Sequence, residues 1–194
     1  MKLTTTSKNI TDVANKFCRL DITEESSSYH RFIEHADGTT TYRMGAGKWN
    51  EMSPRKFRLF VRSIVQAAKS HHLEYLAIQL SDSYFPQLDT YGERWVLRTV
   101  AENLILANYE FTKYKTATKN KTASEPKEIC LCNGLNKEAK AGFAEGKIIA
   151  EAANVTRDIA NTSGGDMSPR QLATAAKKAL AGTEVKTKEL GESE

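Results

Sequence analysis

The 194-residue sequence has few cysteines, no long apolar run and no internal repeat. Its three cysteines, Cys18, Cys130 and Cys132, are odd in number, and no further cysteine or nearby histidine completes a zinc set. Cys130 and Cys132 are spaced so that a strand would point both side chains to one face. We therefore expect buried, reduced thiols, and neither a disulfide framework nor a metal site.

No stretch approaches the roughly 20 consecutive apolar residues that a membrane-spanning helix needs. The first residues, MKLTTT, lack the apolar core of a signal peptide. A cytoplasmic protein without a membrane partner is the simplest interpretation. The net charge of +4, with 27% charged residues, permits contact with an anionic partner but does not require one.

Familiar catalytic patterns are missing as well. The four histidines, His30, His35, His71 and His72, have no spacing typical of a metal site, and the last two are adjacent rather than one helical turn apart. The GAGK sequence at residues 45–48 lacks both the spacing of a phosphate-binding loop and the hydroxyl residue after its lysine. We assign no catalytic residue and no metal ligand to this chain.

Strand and helix patterns alternate along the chain. Apolar residues on both sides of Asp37 and Gly38 predict an early β-hairpin. Ser53 and Pro54 are typical of a helix start. The helix predicted after them carries one apolar face, formed by Phe57, Phe60, Val61, Ile64, Val65 and Ala68.

Two apolar runs of strand length, residues 73–80 and 128–132, enclose a second amphipathic helix. The residues of this helix that we expect to face the core are Val96, Leu97, Val100, Leu104 and Ala107. Such alternation predicts an α/β fold with a mixed, largely parallel sheet flanked by helices.

A long, alanine-rich helix with six apolar residues is predicted after Asn136, and we expect this helix to pack closely against another surface. These residues are Phe143, Ile148, Ile149, Ala152, Val155 and Ile159. Gly164 and Gly165 interrupt the helical pattern. A capping box from Ser168 to Gln171 starts another helix, Gly182 ends it, and residues 183–188 alternate like a strand.

The junction between these two helices, residues 157–169, reads RDIANTSGGDMSP. It resembles the junction of the leucyl aminopeptidase family, cytosolic two-metal enzymes in which an Arg-Asp-Leu-x-Asn-Thr-Pro-like segment precedes an Asp-Met-Thr-Pro helix start. The GAGK stretch, AENL at residues 101–104 and YEFTKYK at residues 109–115 are similar to the family too. The likeness covers most of the chain from roughly residue 40 onward.

The resemblance implies three segments. Residues 1–135 would form an N-terminal, macro-domain-like α/β domain, residues 136–182 a long helix, turn and linker helix, and residues 183–194 the start of a truncated catalytic domain. In the family, the catalytic domain holds two divalent metals, commonly zinc, manganese or magnesium, which activate water for peptide hydrolysis.

The family signature that carries much of this chemistry is absent here. The resemblance therefore implies an inactive portion of a peptide-cleaving aminopeptidase, with a role in assembly or regulation. The implied partners are its own catalytic domain and further copies in a homo-hexamer, and the full-length protein would take the peptide substrate.

Seven junction residues are the candidate site residues, and we interpret them as structural: Arg157, Asp158, Asn161, Thr162, Asp166, Ser168 and Pro169. The first two could tie the linker helix to a neighbouring domain. The next two would satisfy backbone groups where the helix ends. The acid, Asp166, could cap or brace the turn, and the last two residues start the following helix.

The alternative function is a stand-alone macro-like module that binds nucleic acid or a nucleotide. Four lysines, Lys113, Lys115, Lys119 and Lys121, lie close to aromatic residues, a pattern that nucleic-acid surfaces share. A solvated loop whose aromatic residues anchor it to the core explains the same pattern, and we favour it. Binding to ADP-ribose-like ligands would rest on fold analogy alone.

Overall fold

Six strands form one sheet in the computed structural model, which describes residues 1–80, 85–116 and 125–191. The strands and α-helices are β1 (Lys2–Thr5), β2 (Cys18–Thr23), β3 (His30–Glu34), β4 (Thr40–Gly45), α1 (Pro54–Ser70), β5 (Tyr75–Ile78), α2 (Gly92–Asn108), β6 (Glu128–Leu131), α3 (Lys137–Asn161) and α4 (Pro169–Ala179). The order across the sheet is β1-β6-β5-β2-β4-β3. Among the described strands, only β3 and β4 pair antiparallel, so the predicted α/β class and largely parallel sheet are confirmed.

The hairpin and the first helix form where the sequence predicts them. Gly38 adopts a positive φ of 78° in the turn between β3 and β4, a conformation that glycine adopts without strain. The Ser53 side chain caps α1 by accepting the backbone N–H of Lys56, and Pro54 is its first residue. All six residues predicted for the apolar face of α1 are buried.

Two strands, β1 and β2, were not predicted individually, although β2 lies in the middle of the sheet between β5 and β4. Its buried residues Cys18, Leu20 and Ile22 alternate with half-buried polar ones, which is the pattern of a strand with two unequal faces. The first strand has four residues and buries only Leu3, so its pattern is too short to recognise.

The two faces of the sheet carry different cores. Apolar residues of α1, α2 and α3 join one large cluster with strand residues such as Leu20, Leu76 and Ile129. A smaller cluster on the other face contains Cys130 and Cys132, packed with residues of the segment between β1 and β2. As predicted, both thiols point to one face and are buried and free, as is Cys18.

The packing of α3 on α2 depends on two glycines. A Cβ atom at Gly142 would clash with the carbonyl oxygen of Arg94, and one at Gly146 would clash with that of Arg98. The two helices therefore approach so closely that their backbones are nearly in contact. The two helices run in the same direction. Their first halves meet at these glycines, and their last residues meet where Tyr109 binds Asp158.

The second half of α3 leaves apolar residues exposed. Phe143 is buried as expected, but Ile148 is 68% exposed, and Ile149 and Val155 are also exposed. The helix packs closely against α2, as predicted, but these three apolar residues stay exposed. The division into domains at residue 135 stays a prediction, although α3 packs on α2 through its first half.

Residues 183–188 contain no strand, so that prediction is wrong. An alternating pattern forms a strand only where a neighbouring strand accepts its hydrogen bonds, and no described strand pairs with this segment. Gly182 follows α4 with a φ of +82°, near the predicted helix end. Within the described ranges, no helix is both long and apolar enough to span a membrane.

The cysteine burial leads to a first prediction. Burial raises the pKa of the Cys132 thiol to about 12, and the adjacent Cys130 thiol adds to the effect. Because only thiolates react readily, we expect no labelling of Cys132 by Ellman's reagent in the native protein at pH 8. All three cysteines should react at once in denaturant. Rapid labelling of Cys132 without unfolding would contradict this burial.

The helix contact leads to a second prediction. Gly142→Ala forces a methyl group against the α2 backbone, so we expect a loss of about 2 kcal/mol in the free energy of unfolding, as overpacked cores show. Urea denaturation measures it. Gly164→Ala is the matched control, since a methyl group there meets no atom within 4 Å. Equal stability of the two variants would mean that the helices can separate at little cost.

Candidate interdomain junction

Arg157, near the end of α3, binds the end of α2. Its guanidinium carbon lies 3.9 Å from the centroid of the Tyr109 ring, close enough for a cation–π contact. Its Nη1 donates a hydrogen bond of 3.2 Å to the backbone carbonyl of Leu106. Carbonyls in the last turn of a helix have no partner within the helix, so Arg157 satisfies one and adds a cation where the helix dipole favours it.

Tyr109, the residue after α2, holds the last turn of α3. Its hydroxyl donates to the Asp158 carboxylate at 2.8 Å and accepts from the Asn161 side-chain amide at 3.2 Å. Desolvation, followed by the hydrogen bond to Asp158, raises the pKa of Tyr109 above its ordinary value. The phenol therefore stays protonated and keeps its role as donor at physiological pH.

Tyr114 holds the turn that follows α3. Its hydroxyl donates to the Asp166 carboxylate at 2.8 Å and accepts the backbone N–H of Ser163 at 2.9 Å. The Lys113 ammonium lies 3.7 Å from the same Asp166 oxygen. Asp166 therefore braces the turn, as predicted, but it does so by binding the segment after α2 rather than by capping a helix.

The remaining junction residues shape the backbone. The Thr162 hydroxyl donates to the Asp158 carbonyl at 2.7 Å, and so satisfies a backbone group at the end of α3. Ser168 and Gln171 form the predicted capping box, in which each side chain accepts the other residue's backbone N–H. Pro169 occupies the first position of α4.

The junction tyrosines, Tyr109 and Tyr114, were not predicted as site residues. The expectation was that the aromatic residues here anchor the loop to the core, whereas Tyr114 is 51% exposed and both hydroxyls bind the turn and α3. The partners are 49 and 52 residues apart in the chain. No local pattern reveals contacts at such separations.

Two of the four lysines in the nucleic-acid hypothesis are described, and each of them lies close to a carboxylate. Lys113 lies beside Asp166, and the Lys115 ammonium pairs with Glu110. Lys119 and Lys121 lie outside the described residues. Paired lysines release fewer counterions from a nucleic acid than free ones do, so the described part of this segment gives the nucleic-acid hypothesis no support.

Comparison with known proteins adds three findings. Residues 40–118 match the sequence model described as cytosol aminopeptidase family, N-terminal domain, and the match begins at the first residue of β4. A probable cytosol aminopeptidase of Azotobacter vinelandii is 32% identical over 162 residues, which cover 76% of this chain and 31% of that protein. A probable cytosol aminopeptidase of Aquifex aeolicus is 28% identical over 137 residues, or 71% of this chain and 26% of that protein.

Solved structures share the fold. A mutant of tomato leucine aminopeptidase superposes with a TM-score of 0.71 at 13% identity, covering 93% of this chain and 42% of that one. The bottromycin maturation enzyme BotP, in complex with Mn, gives a TM-score of 0.60 at 19% identity over 86% of this chain and 36% of that one. The chain thus spans less than half the length of each of these four proteins.

The junction contacts lead to a third prediction. Tyr114→Phe removes the hydroxyl that makes two hydrogen bonds, to Ser163 and Asp166. We therefore expect amide hydrogen exchange across residues 162–167 to quicken by about fivefold or more, since loss of one typical hydrogen bond already allows about fivefold. Hydrogen exchange with mass spectrometry measures it. Tyr91→Phe is the control, because the Tyr91 ring is similarly exposed and its hydroxyl makes no hydrogen bond to a described residue. Unchanged exchange in the Tyr114→Phe variant would show that the turn holds without it.

Proposed function

Because this chain belongs to the cytosol aminopeptidase family and matches the N-terminal domain of that family, we propose that it is the non-catalytic portion of a metal-dependent leucyl aminopeptidase. The full-length enzyme would release N-terminal amino acids from peptides in the cytoplasm. The match over residues 40–118 carries this proposal, together with relatives of which the chain spans only 31% and 26%. The proposed role of this portion is assembly or regulation of the enzyme.

The two divalent metals that the family implies do not fit the residues described here. No three or more His, Cys, Asp or Glu side chains in the described ranges are grouped so that they could hold a metal ion. Zinc, manganese or magnesium would therefore be bound by the catalytic portion. We assign no step of the hydrolysis to a residue of this chain.

The exposed face of α3 supports a role in assembly. Ile148, Ile149, Ala152 and Val155 lie at helical spacing over two turns and are all exposed. The helix that follows, α4, is well capped yet buries none of its residues. Contiguous apolar surface of this kind marks contact sites, and we propose that the catalytic portion or another copy in a homo-hexamer covers it.

A fourth prediction tests the catalytic part of this proposal. The isolated chain should not hydrolyse leucine p-nitroanilide above the buffer rate with manganese or zinc, because it lacks a metal-binding group in its described residues. The release of nitroaniline is followed by absorbance, with the Azotobacter vinelandii relative as positive control. Hydrolysis that a chelator abolishes would overturn the proposal that this portion is non-catalytic.

A fifth prediction tests assembly in a chimaera that joins this chain to the remaining portion of the Azotobacter vinelandii relative. Ile148→Glu with Ile149→Glu places two charges on the α3 face, so we expect at least a tenfold weaker self-association by analytical ultracentrifugation. Because these side chains are exposed in the isolated chain, the two substitutions should not lower its thermal unfolding midpoint. Lys140→Glu, an exposed position outside the face, is the control. Unaltered self-association of the double variant would exclude this face as an interface between copies.

A further inference from the structure

A cavity of about 720 Å³ lies at the carboxyl ends of β5 and β6, where α2 and α3 begin. Its floor is apolar and includes the buried side chains of Phe57, Leu88, Leu97 and Leu131. The volume falls in the range of small-molecule sites. Open α/β sheets bind ligands in crevices outside the carboxyl ends of parallel strands, which is where this cavity lies.

The described charged side chains that line the cavity are both negative. Asp89 and Glu93 line it, and its described lining residues include no lysine, arginine or histidine. The Asp89 carboxylate is exposed and makes no hydrogen bond or ion pair within the described chain. Glu93 accepts a hydrogen bond from the side-chain amide of Asn136, which also lines the cavity.

These charges oppose an anionic ligand. The N-terminal end of a helix attracts anions, but Glu93 lies in the first turn of α2 and Asp89 lies three residues before that helix begins. At the start of α3, the Asn136 side chain already accepts the backbone N–H of Ala139 at 2.9 Å. A phosphate in this cavity would meet two carboxylates and no cation among the described lining residues, so the nucleotide alternative does not fit here.

We propose that this cavity binds an apolar molecule that carries a primary ammonium group. The apolar body of such a ligand packs on the floor, and its ammonium group pairs with Asp89 at the mouth. Amides of apolar amino acids and the first residue of an apolar peptide belong to this chemical class. The inference does not depend on the proposed function, because it uses only the lining of the cavity.

The test uses four probes. Three of them carry a phenyl ring on a short chain and differ in the polar group: 2-phenylethylamine, 2-phenylethanol and phenylacetate. The fourth is a nucleotide, adenosine monophosphate. Titration at pH 7 is followed by the amide NMR signals of Gly92 and Gly134, which line the cavity. We expect the amine to bind at least fivefold more tightly than the alcohol, and the two anions to bind more weakly still. Equal affinities, tighter binding of either anion, or no shift with the amine at millimolar concentration would each overturn the proposal.

Variants then assign the ammonium contact. Asp89→Asn keeps the side-chain shape, so it should weaken the amine about fivefold to tenfold and leave the alcohol unchanged, as expected for loss of a charge-assisted hydrogen bond. Glu34→Gln is the matched control, since it removes a carboxylate from the end of the edge strand β3. Glu93→Gln is a second variant, expected to weaken the amine less because Glu93 already has a partner. Equal amine affinity for Asp89→Asn and Glu34→Gln would refute the assignment.

Discussion

The close contact between α2 and α3 determines the positions of the other features. Gly142 and Gly146 allow the α3 backbone to lie against the carbonyl oxygens of α2, and no larger residue fits at either position. Arg94, whose backbone carbonyl faces Gly142, also pairs through its side chain with Glu138 and Glu145 of α3, which adds charge attraction along the contact. The favourable ion pair lowers the pKa of Glu145, so this attraction weakens as pH falls through the lowered value.

One helix thus connects three regions that differ in chemistry. The first turn of α3 borders the cavity, where Asn136 binds Glu93 of α2. Its middle exposes Ile148 and Ile149, and its last turn is held to Tyr109 by Asp158 and Asn161. Since α2 and α3 run in the same direction, the contacts at each end link the corresponding ends of both helices.

Much of the helical structure was predictable, because helix faces and helix caps depend on residues that are close together in the sequence. The buried face of α1 and the caps at Ser53 and Ser168 follow from spacing and from side chains within one turn. Spacing also shows that apolar residues of α3 share one face of the helix. It cannot show whether the surface that covers this face belongs to the same chain. Residues 183–188 failed as a strand for a related reason, because a strand exists only through its partner.

The junction shows the same limit in finer detail. The sequence identified Asp158 and Asp166 as structural, because each lies at a helix end or a turn. It could not identify Tyr109 and Tyr114 as their partners, since the pairing depends on how α2 and α3 lie in space. The contact set also explains why a turn containing Gly164 and Gly165 needs no rigid residue of its own. The Tyr114 hydroxyl, from the segment after α2, binds both Ser163 and Asp166, on either side of the glycines, so neighbouring structure supplies the restraint that the turn sequence lacks.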